Sequence, residues 1–167
     1  MSADRATLAR VAAAIRDDMA NVERLLGVLD GCRLRFAGRE PDPVELHGVG
    51  GYLHDFYCAM ENALARVAPV LNGALPAGKA WHRELLEAVV LDLPGVRPAV
   101  LSRQVARRIE EYLRFRHRYR QSYAYELEWP PVAHLLAEAR PTWASVRADL
   151  ERFLLFLDVA AASMDEG

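Results

Sequence analysis

Lysine is almost missing from this chain: Lys79 stands alone against twenty arginines. That bias reads as genome composition and carries no argument for phosphate recognition. Cysteine is scarce too, with only Cys32 and Cys58, so no disulfide framework is expected. The N-terminal MSADRATLARVAAAIRDD lacks the uninterrupted apolar core of an export signal, and reduced thiols in the cytoplasm are the corresponding expectation. Acids or arginines interrupt every apolar run before it reaches the length of a membrane span. Alternating strand patterns, internal repeats and low-complexity blocks are also absent, which argues against β, solenoid and disordered classes.

What remains is a globular composition, 52% hydrophobic and 26% charged, in 167 residues. A single domain spanning 1–167 of that size buries roughly 70% of its unfolded surface. The net charge of −2 hides a strong asymmetry. Residues 101–125 carry seven arginines against Glu110 and Glu111, a local +5, and residues 126–167 carry a local −5. Such a basic belt points to an anionic ligand or an acidic partner surface. The alternative is that it pairs internally with the acidic tail.

Every strong period is helical. Leu8, Val11, Ile15, Met19, Val22, Leu26, Leu29 and Phe36 fit one long amphipathic helix, ended by Gly38 and Pro41–Pro43. Asp42-Pro43-Val44-Glu45 starts a second, with an acceptor at the N-cap, proline next and glutamate third. Its apolar positions run from Leu46 to Leu71, closed by Asn72-Gly73, and Gly48, Gly50 and Gly51 within it predict close approach of another backbone. A shorter helix is expected from about Gly78 to Leu91, burying Trp81, Leu85, Leu86 and Val89, followed by an ordered loop over 92–101. Ser102 is a plausible N-cap for a basic helix that Pro130-Pro131 must end. In a last helical stretch Pro141 breaks or kinks the pattern that Val146, Leu150, Phe153 and Leu157 continue. The expected architecture is an all-α bundle of four to six helices.

The basic helix holds the chemistry. Tyr112, Arg116, Tyr119 and Tyr123 form one drifting stripe at about 100° per residue. Arg116 on such a face needs an anion or acceptors: either a structural partner such as Glu61 or Asp55, or a bound phosphate. Arg114, His117 and Gln121 form a neighbouring stripe, with Arg118 and Arg120 beside it. His117 titrates near neutral pH, and its arginine neighbours disfavour the imidazolium, which suits a general base. His47 and His54 two turns apart are weak as metal ligands without a third. Cys58 reads as a core filler, and Trp81-His82 as a packing pair at a helix start, with His82 lining the cleft as the alternative.

The run FRHRYRQSYAYEL, with LHDFYCAMENAL upstream and WHRELL between them, resembles the HepT-like toxins of the HEPN superfamily, from about Pro43 to Leu157. The resemblance implies a HEPN-type helical dimer acting as a metal-independent endoribonuclease, without cofactors, neutralised by a minimal nucleotidyltransferase antitoxin. The family pattern of arginine, four residues, histidine, one residue, tyrosine falls on Arg116, Gln121 and Tyr123. It implies a catalytic set of Arg116, Gln121 and Tyr123, with Tyr123 as AMP acceptor; His117 is expected to join the set, and Arg114, Arg118 and Arg120 of the basic belt to hold RNA. Glu61 and Tyr119 would support the set. Glutamine departs from the pattern, because it exchanges no proton near pH 7, and loss of an acid or base costs about 10²- to 10⁴-fold. His117 is the nearby substitute. Arg116 and Gln121 stand about 140° apart on a regular helix, so either the helix is irregular there or, the favoured alternative, a second copy across a two-fold axis completes the site. The other reading is a HEPN module that only binds a nucleotidyltransferase, RNA or nucleotide.

Overall fold

A computed structural model describes residues 4–67, 78, 80–121, 123 and 126–164. Among them are five helices: α1 (Arg5–Arg35), α2 (Pro43–Ala65), α3 (Trp81–Val89), α4 (Arg103–Gln121) and α5 (Trp129–Ser163). The all-α architecture and the helix number agree with the periodicity. No strand occurs among the described residues; the loop after α3 has one isolated bridge between Leu93 and Arg97. No described helix is long and apolar enough to cross a membrane.

α1 packs along both α2 and α5, and its Ile15, Val22, Leu26 and Leu29 are fully buried. At roughly 1.5–3 kcal/mol for each large apolar side chain removed from water, this seam is the main source of cohesion. α2 starts as its sequence requires. Asp42 accepts from the N–H groups of Val44 and Glu45, and Glu45 reaches back to the Asp42 N–H. It stops at Ala65 rather than near Leu71. Pro69 lies four residues on and has no N–H to give the Ala65 carbonyl. The Asn72-Gly73 closure falls outside the described residues.

α3 buries His82 along with Leu85, Leu86 and Val89, whereas Trp81, expected inside, stays half-exposed and covers the His82 ring. Its last turn is capped from the following loop. Buried Arg97 donates to the carbonyls of Ala88, Leu91 and Pro98 at 2.9, 2.8 and 3.1 Å. A Pro94-Gly95 turn with Gly95 at φ +76 makes that return possible.

α4 ends earlier than the prolines imply. Pro130 and Pro131 do not terminate it; they occupy the first turn of α5, where a missing N–H costs nothing. Tyr123 therefore stands beyond α4 and off its stripe. Pro141, expected to break or kink the last helix, sits inside a continuous α5. The Tyr112 hydroxyl donates to Leu135 O at 2.8 Å, tying α4 to α5 one and a half turns before that proline.

Candidate functional site

Tyr119 sets the approach of α4 to α2. A Cβ at Gly50 would meet Tyr119 Cε2 at 2.8 Å, and one at Gly51 would meet its hydroxyl at 3.3 Å. The glycine patch thus admits an aromatic side chain of the same subunit, not another backbone. His47 stacks on the Tyr119 ring at 5.2 Å and His54 lies 5.8 Å from it, which accounts for these two histidines as its packing partners. Tyr119 holds the helix that carries the site; it is half-buried rather than open to a ligand.

One turn back, Arg116 is 9% exposed. No carboxylate forms an ion pair with it among the described residues, and its Nε is sealed without a hydrogen-bond partner. The expectation that Glu61 orients it is not what the geometry gives. Glu61, itself buried, accepts from Tyr57 Oη at 2.7 Å and holds His82 Nδ1 on the same oxygen. Burial, then the Glu61 charge, pushes the Tyr57 hydroxyl far up, so it remains a donor. Arg116 lies near enough to Tyr57 and Cys58 to oppose the upward shifts of both; that of Cys58 comes first from burial.

His117 follows Arg116 on the exposed side of α4, its ring 6.0 Å from that of His82 in an edge contact. Partial burial, then Arg116, His82 and Arg83, hold it below the ordinary histidine value of 6.5, with Glu61 opposing. The shift favours the neutral imidazole. A neutral imidazole beside a fixed guanidinium can take a proton from a hydroxyl whose phosphate the guanidinium binds.

Arg114, Arg118 and Arg120 point outward on α4, Gln121 ends the helix exposed, and Tyr123 is 68% exposed with its N–H on Glu126. Arg118 borders a small hollow with Phe115, Leu127 and Glu128. None of the seven α4 arginines forms an ion pair among the described residues. The acidic tail spends its charge elsewhere. Asp149 pairs with Arg152, Glu151 with Arg147 and Asp158 with Arg16. Among the described residues the acidic tail does not neutralise the basic belt. Between α3 and α4 a groove of about 360 Å³ continues the positive surface, lined by Arg83, Arg103 and Arg107 with Glu87 and Glu110.

Residue types alone undervalued His82 and Tyr57. The four-residue spacing of Tyr57 and Glu61 was visible, but nothing in the sequence showed that α3 would lay His82 on the same carboxylate. Cys32 and Cys58 are both free.

The bundle is that of a HEPN-type helical module. A family model described as HepT-like protein matches residues 48–157, from the glycine patch of α2 through most of α5. The match covers about two-thirds of the chain, which belongs to the HepT-like family. No curated protein and no solved structure matches it.

Proposed function

We propose that this protein is the ribonuclease subunit of a toxin–antitoxin pair: a cytoplasmic homodimer that cuts RNA without a metal ion and is neutralised by a minimal nucleotidyltransferase. The observation that carries the reading is the unspent positive charge of α4, with Arg116 buried, unpaired with any carboxylate and adjacent to His117. A buried guanidinium left without its counter-charge is costly; an incoming phosphodiester supplies that counter-charge in bidentate form. In this reading Arg116 stabilises the phosphorane and His117 removes the 2′-hydroxyl proton, the task that Gln121 cannot perform. Arg114, Arg118 and Arg120 hold the strand, and Tyr123, off the helix and exposed, accepts AMP from the antitoxin. Gln121 and Tyr123 reach a cleft only if a second copy contributes to it. The contact face of that dimer is not the Gly50–Gly51 patch, which Tyr119 and Leu127 fill.

Incubation of purified protein with RNA in EDTA tests the proposal. Cleavage is expected, and Arg116→Ala, with its helical content intact, lowers it by about 10²- to 10³-fold. Cleavage abolished by chelator yet indifferent to Arg116→Ala overturns it. The second reading, a module that binds without cutting, rests on Gln121 in the histidine position. Gln121→His separates the two: activity created from none identifies a binder, and activity unchanged or lowered leaves the proton transfer to His117.

A further inference from the structure

Cleavage of a phosphodiester by an internal 2′-hydroxyl moves two protons, one from the nucleophile and one to the leaving oxygen. His117 accounts for the first only. The second group must sit within reach of the same phosphate and must exchange a proton at an accessible atom. We propose that His82, held by Glu61, is the general acid of this site, which makes the reaction centre a two-histidine pair built across α3 and α4. The inference rests on the ribonuclease reading and deepens it.

The geometry supports it from three sides. From α2, Glu61 fixes Nδ1 of His82, and Tyr57 braces that carboxylate from its other flank. An imidazole tied through Nδ1 to a carboxylate presents Nε2 as its working atom, in a defined orientation and with its cationic form balanced. From α3 itself, Trp81 covers the ring at 4.0 Å and limits its rotation. From α4, His117 meets it at 6.0 Å, and Arg116 lies beside them both. Among the described residues Arg83 also acts on His117, and Cys58 lies near Arg116 and Glu61. Nε2 of His82 has no hydrogen-bond partner among the described residues, and the residue is 8% exposed.

The step balances as follows. Neutral His117 takes the proton of the 2′-hydroxyl, and O2′ forms a bond to phosphorus. The P–O5′ bond breaks, and O5′ takes the proton from Nε2 of His82. The products are a 2′,3′-cyclic phosphate and a free 5′-hydroxyl, with His117 protonated and His82 neutral; exchange with water restores both. Glu61 touches no substrate and is a positioning residue.

A substrate with sulfur at the bridging 5′ position tests this, because a thiolate leaves without protonation. With ordinary RNA, His82→Gln is expected to lower cleavage by about 10²- to 10⁴-fold. With the 5′-thio substrate the same variant should fall within about tenfold of the wild type, while His117→Gln stays slow on both. Glu61→Gln should show a smaller loss and the same rescue. It stands in for His82→Gln if that variant does not fold. His134→Gln, an exposed histidine on α5, is the control and should change nothing. A His82→Gln protein that cuts ordinary RNA normally, or is equally slow on both substrates, overturns the general acid while leaving the ribonuclease intact. A wild-type protein that cuts neither substrate overturns both.

Discussion

Arg116 departs from what burial favours, and Gly50 departs from helix propensity because packing requires it. A guanidinium at 9% exposure without an ion-pair partner is worse for folding than an apolar side chain of similar length. Arg116→Met is expected to raise the unfolding free energy by about 1–3 kcal/mol, read from urea denaturation, while removing RNA cleavage. A fall in stability would mean that Arg116 is structurally satisfied. Gly50→Ala should act in the opposite direction. Its methyl would stand 2.8 Å from a Tyr119 ring carbon, and overpacking of that kind costs about 1–3 kcal/mol. Combining it with Tyr119→Leu, which withdraws the ring, should recover part of the loss in a double-mutant cycle.

Among the elements, α4 depends on a contact far away in the chain. Ser102, the expected N-cap, accepts from Val105 N–H at 3.3 Å, but its own N–H is taken by buried Asp149 of α5 at 2.7 Å. Asp149→Ala should cost about 1–3 kcal/mol in denaturation experiments by leaving that N–H without its acceptor. The start signals at Asp42 and Ser102 were legible because a cap is local chemistry. The helix ends were not. Pro130 and Pro131 look the same on paper whether they stop one helix or start the next, and the choice follows from how the chain leaves α4 at Gln121. That choice takes Tyr123 off the stripe that spacing alone assigned to it.

Across the molecule, the seven arginines of α4 form no ion pair among the described residues, whereas Glu45, Glu151 and Asp158 pair with arginines of other segments. RNA binding should therefore weaken steeply with salt, each phosphate neutralised by an arginine adding about 0.7 to the logarithmic slope for a single strand. A flat salt response in fluorescence anisotropy would show that the belt does not meet the phosphate backbone. The depressed pKa of His117 gives the pH dependence a sign. Its protonation removes the base, so the rate falls as pH drops through a value below 6.5, not at it. His117→Gln should abolish that acidic limb of kcat/KM. A limb that persists in the variant would assign the base to another group.

Residue order alone sets the helical segments, their amphipathic faces, the capping box at Asp42 and the concentration of arginine in α4, though not every helix end, because each depends on residues a few positions apart. It could also place Arg116 on an aromatic face. Only the tertiary structure decided which groups meet that face, because contacts between α2, α3 and α4 depend on how the helices are stacked. It gave Glu61 to Tyr57 and His82, turned the acidic tail toward arginines of α1 and α5, and filled the glycine patch with Tyr119. Burial and partner choice are properties of the packed bundle, and they turn a run of basic residues into a site.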